Sequence, residues 1–101
     1  MSIYHKFNAK PVMQDGRRYP SKKQAQYARE LDLRVKASEV LFYLEEVPIR
    51  LAGGITYRVD FVEFWTDGTV HFVDTKGYKT AVYIMKKKMV ESAYPIEIEE
   101  A

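Results

Sequence analysis

Tyr57-Arg58-Val59-Asp60-Phe61 and, after one turn, Phe72-Val73-Asp74-Thr75-Lys76-Gly77 decide how this chain is read. Each is an apolar, strand-like run that carries an aspartate, and the second adds a lysine two residues past its aspartate. Residues two apart in a strand share a face, so Asp74 and Lys76 are expected to point one way and Thr75 the other. An aspartate in mid-strand is disfavoured, so Asp60 between Val59 and Phe61 calls for a reason. Two carboxylates converging from adjacent strands suit a hard divalent cation such as Mg²⁺. A lysine beside them can orient a water or stabilise charge building on a phosphate. The plainer alternative is an ion pair of Asp74 with Lys76 ahead of a glycine turn, but that leaves Asp60 without a role.

Outward from this pair of strands the pattern is regular. Thr66-Asp67-Gly68 closes a hairpin between Tyr57–Trp65 and Thr69–Thr75. Upstream, Val40–Leu51 reads as a strand interrupted by Glu45-Glu46 and Pro48, and Ala52-Gly53-Gly54 as a turn. Ser21 with Gln24 three residues on is a capping-box pattern, so a helix is expected from Ser21 to about Ala37. Gln24, Ala28, Leu31 and Val35 fall on one face of it. Downstream, Thr80 can cap a second helix through Ala93 with Val82, Met85 and Met89 on one face. Pro95 ends that helix, and Ile96–Glu99 alternates like a last strand. Asp15-Gly16 marks a small hairpin of Lys10–Met13 with Arg17–Tyr19. The order α-β-β-β-α-β predicts an α/β fold, a mixed sheet flanked by helices.

The 101 residues allow one domain, with a basic arm at residues 1–20. A 47% hydrophobic and 14% aromatic content supplies a core and argues against global disorder. No run approaches the roughly 18–20 apolar residues of a membrane span, and no apolar signal core precedes the first helix. The lack of cysteine excludes disulfides and thiolate metal sites and fits a reducing, cytoplasmic setting. The net charge of +2 hides an uneven distribution. Residues 1–38 carry nine Lys/Arg against three acids, residues 39–73 two against six, and residues 74–101 five of each. A basic third beside an acidic middle matches a phosphate-binding surface next to a metal centre, and equally an ordinary solvated helix.

With these residues in place, the chain resembles the PD-(D/E)xK nuclease superfamily. More narrowly it is similar to small phage-encoded endonucleases related to Holliday junction resolvases. The resemblance runs through Ser21-Lys22-Lys23-Gln24-Ala25, Val59-Asp60-Phe61, Val73-Asp74-Thr75-Lys76-Gly77, Thr80, Tyr83 and Lys86-Lys87-Lys88. It implies a restriction-endonuclease-like core and a Mg²⁺ site, with Mn²⁺ able to substitute, held by Asp60, Asp74 and the Thr75 carbonyl. Lys76 would assist the attacking water or the phosphate. Many members also place a glutamate on the first helix, where this chain has Gln24. Gln24 then either completes the capping box or turns its amide oxygen to the metal site, more weakly than a carboxylate would.

Candidate phosphate contacts are Arg17, Arg18, Ser21, Lys22 and Lys23 at the positive end of the first helix, and Lys79, Lys86 and Lys87 around the second. His5 reads as a nucleic-acid contact or a loose terminal residue. The expected function is metal-dependent, structure-selective cleavage of branched DNA by a homodimer. The competing expectations are a non-catalytic DNA-binding or phage-assembly protein on the same fold, a nuclease acting on other branched DNA, and an RNA-directed nuclease or a subunit whose DNA specificity comes from a partner.

Overall fold

The computed structural model describes residues 10–101; His5 and the rest of the arm before Lys10 lie outside the described residues. The Asp15-Gly16 turn, both residues at positive φ (52° and 76°), joins β1 (Val12–Gln14) to β2 (Arg17–Tyr19) as a separate two-stranded ribbon. This is the expected hairpin, shifted by two residues at its start and one at the end of its first strand.

Helix α1 (Lys22–Lys36) starts where Ser21 Oγ accepts the Gln24 backbone N–H at 3.0 Å. Its inward face is Gln24, Ala25, Ala28 and Leu31; Val35, expected on that face, is exposed near the last turn. Three long strands follow: β3 (Val40–Arg50), β4 (Thr56–Trp65) and β5 (Val70–Asp74). They pair antiparallel in the order β3-β4-β5. A single turn of 3₁₀ helix, Ala52–Gly54, links the first two. Pro48 is accommodated inside β3 because that strand is the sheet edge, where one side of the backbone has no ladder to serve. Helix α2 (Ala81–Ala93) is capped by Thr80, whose hydroxyl accepts the Tyr83 N–H at 3.1 Å. It carries the chain over to β6 (Ile98–Glu100), which joins parallel to β5. The α-β-β-β-α-β core and the mixed four-stranded sheet are as the sequence predicts.

One helix covers each side of the sheet. On the α1 side Tyr19, Ala25, Ala28, Leu31, Val40, Phe61 and Val73 pack together. On the α2 side the cluster is Leu51, Tyr57, Val59, Val62, Tyr83, Val90 and Ile98. The expected inward face of α2 is corrected here. Val82 and Met85 are exposed, and Tyr83 with Val90, seven residues on, makes the buried stripe, with Met89 partly packed against it. Thr80 sets the phase of the helix by holding Tyr83, so the aromatic ring turns inward.

Val59 and Phe61 are two apart yet belong to opposite clusters, which an ideal strand does not allow. Strand β3 does the same, with Tyr43 on the α1 side and Val47 on the α2 side. Both strands therefore change face between these residues, at Glu46 and Asp60. Glu46 carries the local distortion, with φ of 52°. Among the described residues no helix is long and apolar enough to cross a membrane.

Candidate active site

The strand registers align four acids across the sheet. Asp74 of β5 pairs with Glu100 of β6. Phe61 faces Val73 at the end of the β4–β5 ladder, and the next position in that register sets Asp60 opposite Asp74. Glu45↔Phe61 and Val47↔Val59 bracket Glu46 and Asp60 in the same way. The row runs Glu46, Asp60, Asp74, Glu100, one acid from each strand.

The two aspartates are locked to one another through the backbone. Asp74 Oδ1 accepts the Asp60 backbone N–H at 2.9 Å, and its Oδ2 accepts the Tyr57 hydroxyl. Asp60 Oδ2 accepts both the backbone N–H and the hydroxyl of Thr75, at 2.8 and 3.0 Å. Lys76 Nζ lies 3.5 Å from the other Asp60 oxygen and 5.8 Å from the centre of the Tyr83 ring. Asp60, Asp74 and Lys76 thus come together as the sequence predicts, but two details differ. Lys76 pairs with Asp60 rather than Asp74, and Thr75 turns toward Asp60 rather than away. The strand ends at Asp74, so strict alternation stops there.

Asp60 is 3% exposed and Asp74 fully buried. Burial pushes the Asp74 carboxyl above its ordinary range, against the Asp60 N–H and Lys76, while Glu100 and Glu46 push it further up. Among the described residues Asp74 forms no ion pair, and Lys76 is the only cation on Asp60. A dication between them would supply the missing positive charge. No three His, Asp or Glu side chains among the described residues enclose an ion by themselves. The donor set still fits Mg²⁺, which keeps several waters and takes one or two carboxylates.

Gln24 is 3% exposed on α1. Only half of the expected capping box forms. Ser21 caps the Gln24 N–H, while the Gln24 side chain leaves the helix and donates through Nε2 to Glu46 at 3.1 Å. It presents an N–H to this acid, not its oxygen to a metal.

The candidate phosphate contacts divide by how they are held. Arg18 on β2 and Lys22 at the start of α1 are exposed, as is Lys23, whose Nζ lies 3.5 Å from the Lys76 carbonyl. Arg17 is tied into the protein by Glu45 at 2.6 Å and Asp32 at 3.7 Å. On the other side Lys79 and Lys87 pair with Glu100, at 2.9 and 3.5 Å, and Lys86 donates to the Thr56 carbonyl.

Residues 4–99 match the family described as "Protein of unknown function (DUF1064)". The chain belongs to the DUF1064 family. No curated protein matches it.

In this DUF1064 chain the residues that sequence reasoning missed are Glu46, Tyr57 and Glu100. Glu46 stands in the sequence as an ordinary strand charge, and only the register reveals it opposite Asp60. Tyr57 carries a signal in hindsight, since it precedes Asp60 by three in a strand that has to bring a polar group inward. Glu63 is a buried acid with a structural role, holding the Tyr27 hydroxyl at 2.5 Å and the Trp65 ring N–H at 2.9 Å. Trp65 and Tyr43 pack against the α1-side core, and Phe42 stacks on Phe64.

Proposed function

We propose that this chain is a metal-dependent, structure-selective DNA endonuclease that cuts branched DNA, four-way junctions foremost, in the processing of phage DNA in the host cytoplasm. The observation that carries this reading is the pair of buried carboxylates, Asp60 and Asp74, on adjacent strands with the Lys76 ammonium beside Asp60. Buried acids with so little compensation cost stability unless something binds them, and sites of that kind cluster at function.

Asp60 and Asp74 would hold the ion, with Thr75 fixing the orientation of Asp60. A bound Mg²⁺ polarises a phosphoryl oxygen and makes a water more acidic. Lys76, a third exposed, is placed to orient the attacking water or to meet charge on the phosphate. In the hydrolysis the water oxygen bonds to phosphorus and the bond to the 3′ oxygen breaks. The 3′ hydroxyl leaves with a proton and the 5′ end keeps the phosphate, the outcome that the nuclease resemblance suggests. Arg18 on β2, with Lys22 and Lys23 at the N-terminus of α1, would track the backbone.

A symmetric junction needs two incisions and this chain carries one centre, so the active form is a C₂ homodimer. Leu41, Phe42 and Leu44 on the edge strand β3 are all exposed and offer an apolar surface for it. The deciding experiment is Mg²⁺-dependent cleavage of a synthetic four-way junction beside linear duplex, a flap and a structured RNA. Junction cutting supports the proposal. Tight junction binding with no cutting in Mg²⁺ or Mn²⁺ turns the reading into a DNA-binding protein on a nuclease fold, and RNA cutting alone redirects the substrate.

A further inference from the structure

The ribbon of β1 and β2 turns one face to the protein and the other away from it. Its register sets Val12 opposite Tyr19, Met13 opposite Arg18 and Gln14 opposite Arg17. The pairs at either end are fixed inward. Tyr19 is buried in the α1-side cluster with Val12 packed against it. The Gln14 amide donates to the Ala25 carbonyl at 2.7 Å and accepts from Arg29 at 3.1 Å, while Arg17 is held by Glu45 and Asp32. Alternation then sends the middle pair, Met13 and Arg18, outward.

Met13 is 67% exposed, more than any other large apolar side chain among the described residues. Arg18 across from it is exposed and forms no ion pair among the described residues. A single exposed methionine is ordinary on a surface, but this one stands on a rigid mount. The Asp15-Gly16 turn, left-handed at both residues, suits the twist of a two-stranded ribbon, and the flanking pairs are anchored to the body of the protein. The surroundings are cationic: residues 10–23 carry Lys10, Arg17, Arg18, Lys22 and Lys23 against Asp15 alone. An apolar protein partner would need more than one exposed side chain, whereas a nucleic acid offers phosphates for the cations and base faces for the methionine. The ribbon runs directly into α1, where Lys23 Nζ reaches the Lys76 carbonyl at 3.5 Å, so its root adjoins the candidate centre.

We propose that the β1–β2 ribbon distinguishes branched DNA from linear duplex, with Met13 as a wedge that enters the opening at the branch and Arg18 on the phosphate beside it. The inference rests on the branched-DNA reading above and names the residue that gives it selectivity. A two-stranded ribbon fits a DNA groove, and methionine is among the apolar side chains that enter between base steps. Its unbranched chain adapts to an irregular gap. Parting a stacked step is costly in an intact duplex and least so where pairing is already interrupted. The same wedge therefore favours a branch over a continuous helix.

The test is binding of the whole chain, without divalent cations so that nothing is cut, to a synthetic four-way junction and to a linear duplex of the same arm sequence. Melting temperature is measured beside it. Met13→Ala should weaken junction binding about tenfold, the scale of leaving a methionine side chain unburied, while duplex binding and melting stay unchanged. A 2-aminopurine base at the branch should brighten when the wild type binds and stay dark with Met13→Ala. Arg18→Gln should instead weaken both shapes alike. If Met13→Ala binds both shapes like the wild type, this inference fails and the nuclease reading stands. Equal losses on the two shapes would make Met13 a general contact and overturn the wedge. A lower melting temperature would show that its side chain packs on the protein, and would overturn it too. If the wild type does not prefer the junction, the branched-DNA reading falls with it.

Discussion

Thr75 gives both its backbone N–H and its hydroxyl to a single oxygen of Asp60. The hydroxyl bond goes to a buried charged group, where such bonds contribute about 1.5–3 kcal/mol. Thr75→Val keeps the shape and removes only that donor. It should lower unfolding free energy by about that much in urea denaturation and reduce cleavage, because Asp60 keeps one anchor instead of two. A variant with full stability and full activity would show that the backbone N–H alone positions Asp60.

Asp74→Asn removes the uncompensated charge at the centre of the row. Mg²⁺-dependent cleavage should be abolished, while binding to a four-way junction stays equal or tightens as repulsion of phosphates is relieved. Gel-shift and cleavage assays on one preparation separate the two effects. Normal turnover by this variant would sink the metal site.

Junction affinity should fall steeply with salt, since bound lysines and arginines release counterions from the phosphates. Arg18→Glu and Lys22→Glu should each weaken binding to all DNA shapes alike and reduce the salt slope by about one. Arg17→Glu is expected to behave differently. Its guanidinium bridges Glu45 and Asp32, so reversal should lower thermal stability as well as affinity. Equal melting temperatures for the Arg17 and Arg18 variants would contradict the structural role of Arg17.

Glu100 sets an acid limit to stability. Its bonds to Lys79 and Tyr83 pull its carboxyl down to about 2 from an ordinary value of 4.5. A carboxyl lowered by folding contributes stability that is present above its unfolded value and is lost as pH falls toward its folded one. The gap in melting temperature between wild type and Glu100→Gln should therefore be full at neutral pH and close between pH 4.5 and 2. A gap that does not change over that window would mean the ion pairs contribute nothing.

Leu31 is fully buried against Phe61 and Val73 under α1. Leu31→Ala should cost about 2–5 kcal/mol in chemical denaturation. A loss below 1 kcal/mol would mean that the α1 layer closes over the gap.

Much of the architecture was legible because it rests on local signals. Ser21 and Thr80 cap their helices, Asp15-Gly16 and Asp67-Gly68 turn the chain, and two apolar runs pair across the second turn. Asp60, Asp74 and Lys76 could be brought together on the same grounds. The phase of α2 was not legible, since Val82, Met85 and Met89 are as apolar as the residues that are buried, and contact with the sheet settles which side turns in. Glu46 was hidden for a different reason. Its partner Gln24 is 22 residues away, and its place opposite Asp60 depends on a face change that alternation does not encode.

That face change gives the centre two neighbours in place of one. Phe61 anchors the strand in the layer under α1, and Val59, two residues earlier, in the layer under α2. Asp60 is the hinge pin between them. A cavity opened in either layer lets the strand tilt about that pin in one and the same sense, because Phe61 moving toward α1 and Val59 moving toward α2 are a single motion. Defects on opposite sides should therefore reinforce each other's effect on the carboxylate, so two truncations that are tolerated singly, one beneath each helix, should together disturb the site.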